Sequence, residues 1–308
     1  MARIVITEFM DEAVVAEAFA DQDALYDPAL VDKPQALTQA LADAEALVVR
    51  NRTQVRGALL EAAPKLKVVG RLGVGLDNID MAACEARGIA VHPATGANDL
   101  SVAEYVIAMA MTLLRGVSLR TAQVVNGAWP RQTMLGRETS GRTLGLIGFG
   151  AIARETAARA KALGMQIVGC DPHLPADHPA WAGLGARKLE LDALLAQADV
   201  VSLHTPLTPE TRGMVDARAI ARMKPGAVLI NAARGGVVDE AALAAALREG
   251  RLGGAALDVF ETEPLTAEAG AKFTGIANLI LTPHIAGVTE ESNRRVSEVT
   301  AANVLKHL

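Results

Sequence analysis

Thr143-Leu144-Gly145-Leu146-Ile147-Gly148-Phe149-Gly150-Ala151-Ile152-Ala153-Arg154-Glu155-Thr156 reads as an apolar strand, a glycine turn and the opening of a helix. Glycines permit a tight turn and let the backbone approach a pyrophosphate. The helix start then offers unpaired N–H groups and the positive end of its dipole to the phosphates. Ala153 stands at the third position of the Gly-x-Gly-x-x-Gly/Ala pattern, where a small residue suffices. The next predicted strand, Gln166 to Cys170, runs into Asp171. That carboxylate lies about twenty residues past the turn, where one is needed to grip ribose hydroxyls. It would repel a 2′-phosphate, and Pro172, His173 and Leu174 bring no arginine to welcome one. The expected cofactor is therefore NAD rather than NADP, with Gly148, Gly150, Ala151, Ile152 and Asp171 in its site.

On both sides of this stretch short strands alternate with helices, the pattern of parallel βαβ units. Before it, strands are predicted at Arg3 to Thr7, Ala46 to Arg50, Lys67 to Arg71 and Ile89 to Val91, with helices near Glu12–Ala20, Pro34–Ala42 and Val55–Ala63. From Asp99 an apolar helix runs to Leu114, followed by a shorter one near Val117–Asn126. After Thr143 the strands continue at Val200 to Leu203, Ala227 to Asn231, Gly254 to Leu257 and Leu279 to Leu281. A final helix, Glu290 to His307, is long enough to return to the first lobe. The expected fold is α/β: two doubly wound, Rossmann- or flavodoxin-like domains with parallel sheets and a cleft between them. Residues 1–98 and 288–308 would form a substrate domain, and residues 99–287 an NAD-binding domain inserted into it.

With 308 residues, two cores are the natural expectation. Aromatic residues are 3% of the chain, so those cores must be aliphatic. Thirty-five acidic against 30 basic residues leave a net charge of −5, which gives no basic footprint for nucleic acid and no polybasic membrane anchor. Cys84 and Cys170 make neither a disulfide framework nor a metal-ligand spacing. No membrane span or leader is apparent, and a cytoplasmic location is expected.

Three further strand ends carry polar groups: Asn231-Ala232-Ala233-Arg234, Asp258-Val259-Phe260-Glu261-Thr262-Glu263-Pro264, and Thr282-Pro283-His284-Ile285-Ala286. Ligands of open α/β sheets bind beyond the carboxyl ends of the strands, so these segments are expected at the edge that bears the glycine turn. Their residue types suit hydride transfer to a 2-keto acid. His284 can give a proton to the developing alkoxide, Glu263 can orient its ring and favour the imidazolium, and Arg234 can bind the substrate carboxylate and polarise the ketone.

These segments, with Gly70-Arg71-Leu72-Gly73-Val74-Gly75-Leu76-Asp77-Asn78-Ile79-Asp80, Ser101-Val102-Ala103-Glu104 and His204-Thr205-Pro206, resemble the D-2-hydroxyacid dehydrogenases, in particular their 3-phosphoglycerate dehydrogenase branch. The resemblance spans most of the chain. It implies catalytic roles for Arg234, Glu263 and His284, a backbone-amide cradle for the substrate carboxylate at Val74 and Gly75, and cofactor contacts at Val74, Ala151, Ile152, Asp171, Thr205, Ala232, Ala233, Asp258 and Ala286. It also implies a homodimer or homotetramer. Formate dehydrogenases share the fold but place Gln where Glu263 stands. The regulatory extension of longer phosphoglycerate enzymes has no counterpart after the return helix.

Arg50, Arg52 and Arg71 sit at first-lobe strand ends. They suggest a small anionic substrate with a second anionic group, phosphate or sulfonate, held foremost by Arg50. The stretches Ile6 to Glu12 and Arg50 to Arg56 are also similar to bacterial sulfolactate dehydrogenases. A glyoxylate or hydroxypyruvate reductase is the alternative, and an NAD-sensing corepressor a more distant one.

Overall fold

A computed structural model describes residues 3–116 and 121–308. The chain divides into two compact units, Met1–Asn98 with Val288–Leu308, and Asp99–Gly287. The second is thus an insertion between the body of the first and its last segment.

In the first unit β1 (Ile4–Ile6), β2 (Ala24–Tyr26), β3 (Ala46–Val49), β4 (Val68–Arg71) and β5 (Ala90–Pro93) form a parallel sheet in the order β2-β1-β3-β4-β5. Every residue of β1 and β3 is buried, because helices cover both faces of a parallel sheet. The helix Glu290–Lys306 belongs to this unit. Thr289 and Ser292 close a reciprocal capping box at its start. Val296, Ala301 and Val304 then join Ile4, Ile6, Val48 and Val68 in one apolar cluster. Gly70 permits the approach, since a β-carbon there would lie 2.5 Å from Val304 Cγ2 and 2.8 Å from Thr300 Cγ2.

In the second unit seven strands follow: β6 (Thr143–Ile147), β7 (Gln166–Cys170), β8 (Ala186–Lys188), β9 (Val200–Leu203), β10 (Val228–Asn231), β11 (Gly254–Leu257) and β12 (Leu279–Leu281). They form a parallel sheet in the order β12-β11-β10-β9-β6-β7-β8. One face packs Leu194, Leu229 and Leu243, and the other packs Leu144, Ala157 and Ile230. In each sheet the winding reverses once, between β1 and β3 in the first and between β6 and β9 in the second. Loops part at such a reversal and leave a crevice beyond the strand ends.

Two strands went unread in the sequence. β2 and β8 are three-residue edge strands with no fully buried position, too short for a periodic signal. The helix expected over Val55–Ala63 is confined to Ala58–Glu61, because Gly57 before it takes φ +50°. The helix expected near Val117–Asn126 spans Thr121–Val125, and residues 117–120 lie outside the described residues. No helix among the described residues is long and apolar enough to cross a membrane.

Candidate active site

The glycine turn follows β6, and the helix Ala151–Ala162 begins directly after Gly150. Its first three N–H groups have no carbonyl partner within the helix, so they are free to face an anion. Gly148 has φ +86°, and a β-carbon there would lie 2.5 Å from the His204 carbonyl oxygen. Only glycine therefore lets the turn after β6 close against the loop after β9, at the point where the strand order reverses. Ala153 is fully buried, which brings the first turn of the helix onto the sheet.

Asp171 follows β7. Its Oδ2 accepts the Phe149 N–H at 2.9 Å and its Oδ1 the His173 N–H at 2.9 Å. The carboxylate is held against the glycine turn and keeps a second lone pair on each oxygen for ribose hydroxyls. Thr205 Oγ1 is buried with no partner among the described residues, and its methyl group would lie 3.3 Å from a β-carbon on Gly148. A polar ligand group beside the turn would satisfy that hydroxyl. Burial pushes the neighbouring His204 ring down to about 4, so it stays neutral here, with Nε2 3.0 Å from Ser202 Oγ. These groups fit a dinucleotide.

The residues expected to take part in the chemistry stand on the next strand ends of the same sheet. After β10, Asn231 accepts the Ala233 N–H at 3.1 Å and donates from Nδ2 to the Arg234 carbonyl at 2.9 Å. This side-chain clasp shapes the loop that carries Ala232, Ala233 and Arg234. A β-carbon on Gly235 would lie 1.7 Å from the Phe260 carbonyl oxygen, so the Arg234 loop and the loop after β11 touch backbone to backbone. In that second loop Glu263 Oε1 accepts the Phe260 N–H at 2.9 Å. Glu263 Oε2 is 2.7 Å from His284 Nδ1. Since a carboxylate only accepts, Nδ1 carries the proton in this pair, and Nε2 is the ring nitrogen left for other chemistry. Burial pushes the Glu263 carboxyl up. The hydrogen bonds from His284 and Phe260 and the charges of His284 and Arg234 outweigh it and hold the group below the ordinary carboxylate range.

His284 has φ +56°, the left-handed region that side-chain-bearing residues seldom enter. Asp258 braces this backbone. Its carbonyl accepts the His284 N–H at 2.8 Å, and its carboxylate accepts the N–H groups of Ile285 and Ala286, each at 2.8 Å.

In the first unit the loop after β3 starts with Arg50. Glu8, nearly fully buried after β1, accepts the backbone N–H groups of Arg50, Arg52 and Thr53 at 2.9, 3.1 and 3.0 Å. Asn78 donates to the Arg50 and Thr53 carbonyls at 3.2 and 2.7 Å. The loop is thereby fixed at the reversal point of the first sheet. The three arginines fare differently there. Arg50 donates to Asn293 Oδ1 at 2.6 Å and lies 5.5 Å over the Phe9 ring. Arg52 is drawn into an exposed pair with Asp32. Arg71 turns back to donate to the Leu72 carbonyl at 2.8 Å. Val74 and Gly75 follow in a half-buried loop whose preceding residue, Gly73, has φ +142°.

Residues 107–286 match the family described as D-isomer specific 2-hydroxyacid dehydrogenase, NAD binding domain. The chain belongs to the D-isomer specific 2-hydroxyacid dehydrogenases. This dehydrogenase is 54% identical over 308 residues to (S)-sulfolactate dehydrogenase of Chromohalobacter salexigens, a match covering 100% of this chain and 99% of that protein. It is 43% identical over 269 residues to D-3-phosphoglycerate dehydrogenase of Mycobacterium tuberculosis, covering 87% of this chain and 50% of the longer relative. Among solved structures, the D-lactate dehydrogenase of Aquifex aeolicus complexed with NAD and lactic acid superposes with a TM-score of 0.86 at 31% identity, covering 98% of this chain and 94% of that one. The protein is thus an NAD-dependent oxidoreductase of small 2-hydroxy acids.

Reading the dehydrogenase from sequence missed the residues that hold its functional loops: Glu8, Asn78 and Asn293 in the first unit, and Tyr105 and Thr282 in the second. Thr282 was within reach, since it opens the Thr282-Pro283-His284 segment. Glu8 and Asn78 lie inside stretches quoted above, but no local pattern gives these others their holding role, because their partners are 25 to 243 residues away.

Proposed function

We propose that this dehydrogenase acts on a 2-hydroxy acid with a second anionic group, of the sulfolactate or 3-phosphoglycerate kind. The observation that carries the reading is Arg50: of the three strand-end arginines Arg50, Arg52 and Arg71, it is held at the sheet's reversal point with its guanidinium on the neutral Asn293 side chain, where Arg52 meets the Asp32 carboxylate and Arg71 the next residue's carbonyl. The full-length likeness to a sulfolactate dehydrogenase supports it.

In this reading residues 1–98 and 288–308 hold the acid, and residues 99–287 hold NAD. The Val74 and Gly75 amides and Arg234 take the shared carboxylate, and Arg50 takes the distal anion. Gly148, Gly150, Ala151 and Ile152 receive the pyrophosphate, and Asp171 the ribose hydroxyls. Val74, Thr205, Ala232, Ala233, Asp258 and Ala286 complete the cofactor contacts. Bound NAD supplies the hydride acceptor for oxidation and, reduced, the donor for the reverse reaction. His284 Nε2 takes the substrate hydroxyl proton in oxidation and returns it to the carbonyl oxygen in reduction. Glu263 holds the ring by Nδ1 and so keeps Nε2 turned to the substrate. Arg234 offers its guanidinium to the carboxylate and polarises the neighbouring carbonyl.

A hydroxypyruvate or glyoxylate reductase is the second reading. It is favoured by the engagement of Arg52 with Asp32, which leaves fewer cations for a distal dianion. Turnover with sulfolactate, 3-phosphoglycerate, lactate, hydroxypyruvate and glyoxylate at fixed cofactor separates the two. The first reading expects the highest kcat/KM on sulfolactate or 3-phosphoglycerate, and a clear lead for glyoxylate or hydroxypyruvate replaces it with the second.

The enzyme is further read as a cytoplasmic homodimer or homotetramer. The helix Thr121–Val125 buries none of its residues. Val125, Trp129 and Leu135 are 78%, 77% and 85% exposed, on an arm that returns at Arg137, whose N–H donates to the Leu114 carbonyl. A second copy of this chain is the partner assigned to that apolar surface.

A further inference from the structure

His284 is placed by its backbone as much as by its ring. Its left-handed φ of +56° persists only where the surroundings hold it. The brace is Asp258, 1% exposed, whose carboxylate gathers the Ile285 and Ala286 N–H groups. A third donor completes it: Thr282 Oγ1 donates to Asp258 Oδ1 at 2.6 Å.

A threonine hydroxyl has one proton. With that proton directed to Asp258, Thr282 Oγ1 can only accept from its other neighbour, the Tyr105 hydroxyl at 2.7 Å. The direction of the chain follows without any hydrogen being seen: Tyr105 O–H donates to Thr282, and Thr282 O–H donates to Asp258. Tyr105 lies on the helix Asp99–Arg115, which packs Val106, Ala110 and Leu113 against the sheet. The chain therefore ties the turn of His284 to a long, anchored helix. Burial raises the Tyr105 hydroxyl to about 12, so it remains a donor at every pH at which the enzyme is assayed.

We infer that Tyr105 is a positioning residue for the acid–base histidine, acting through Thr282 and Asp258 on the turn at 284–286. The inference rests on the role proposed for His284. Polarisation along the chain strengthens the Thr282 donor, and the Asp258 brace keeps the ring where Nδ1 meets Glu263. Without the phenol hydroxyl, the turn gains freedom, and the His284–Glu263 contact loosens in a step that demands near-attack geometry.

The test is a set of variants, Tyr105→Phe, Thr282→Val, Thr282→Ser, the double variant and His284→Ala. Each is assayed for kcat, KM, NADH affinity by fluorescence, melting temperature and the pH profile of pyruvate-type ketoacid reduction. Tyr105→Phe should lower kcat about three- to tenfold, with KM and NADH affinity within twofold of the parent. The limb along which reduction falls with rising pH should move to lower pH, because a loosened carboxylate favours the imidazolium less. Thr282→Val should lose more, Thr282→Ser should restore the parental profile, and the double variant should be no worse than Thr282→Val alone. A purely structural bond would lower the melting temperature while leaving kcat and the pH limb in place, and that result overturns the inference. Additive losses in the double variant overturn it as well. If His284→Ala keeps near-parental turnover, the role of the histidine itself fails, a different outcome from an inactive His284→Ala beside a parent-like Tyr105→Phe.

Discussion

At the level of single residues, the proposed chemistry depends on how one imidazole is held. Replacing His284 with Ala should reduce turnover on the order of 10²–10⁴-fold with NADH binding intact, and near-normal turnover would dismiss it as the proton carrier. Glu263 sharpens the test. Its carboxyl titrates below the usual range because the bonds and charges from His284, Phe260 and Arg234 outweigh burial. A depressed carboxyl stays ionised as pH falls, so the ring keeps its partner well into acid. Glu263→Gln removes that partner, and the imidazolium is favoured less. The pH limits of reduction and oxidation should both move to lower pH, and a profile superimposable on the parent's would break the pairing. Arg50 offers a test of selectivity. Losing one charge-assisted bond costs about 1.5–3 kcal/mol, or tenfold and upward. Arg50→Ala should therefore raise KM for sulfolactate or 3-phosphoglycerate and leave glyoxylate nearly untouched. Equal weakening of both types would move Arg50 to the shared carboxylate or to a structural role.

At the scale of elements, the site is an arrangement of loops that follow strands and lock one another. Gly235 is where two of them meet, the Arg234 loop against the Glu263 loop. A β-carbon would lie 1.7 Å from the Phe260 carbonyl oxygen, and backbone cannot yield as a side chain tip can. Overpacking of this kind costs about 1–3 kcal/mol. Gly235→Ala should lower the melting temperature of the protein by several degrees and lower kcat, because Arg234 and Glu263 would be pushed apart. A variant with parental melting and activity would show that the loops are free to separate. The same reasoning explains why Glu8 matters without touching chemistry. Three N–H donors converge on one buried carboxylate, which makes the Arg50 loop a fixed feature of the sheet edge.

At the scale of the whole molecule, the proposed assembly is open to a direct check. Trp129 and Leu135 are large apolar groups left more than three-quarters exposed. A dimer that covers them should be disrupted by a charge. Leu135→Asp combined with Trp129→Ser should halve the mass measured by light scattering, while NADH binding by the second unit persists. An unchanged mass would place the interface elsewhere. A parent that is already monomeric would remove the assembly altogether.

The two-sheet α/β class, the glycine turn with Asp171, and the three strand ends that carry Arg234, Glu263 and His284 were legible in the chain before folding. Each of these is written locally. Period and breakers report strands and helices, and a phosphate-binding turn needs its glycines within a few residues of one another in the chain. Which groups meet depends on the folded chain. Folding brought Arg52 onto Asp32, 20 residues away, and Arg50 onto Asn293, 243 residues away. It placed β2 and β8 at the sheet edges, where three half-exposed residues leave no period to read. It also set the brace of Asp258, Thr282 and Tyr105 around His284, which joins positions up to 177 residues apart. Hydrogen bonds at such separations depend on the packing of whole helices and sheets. No local pattern of side chains encodes them.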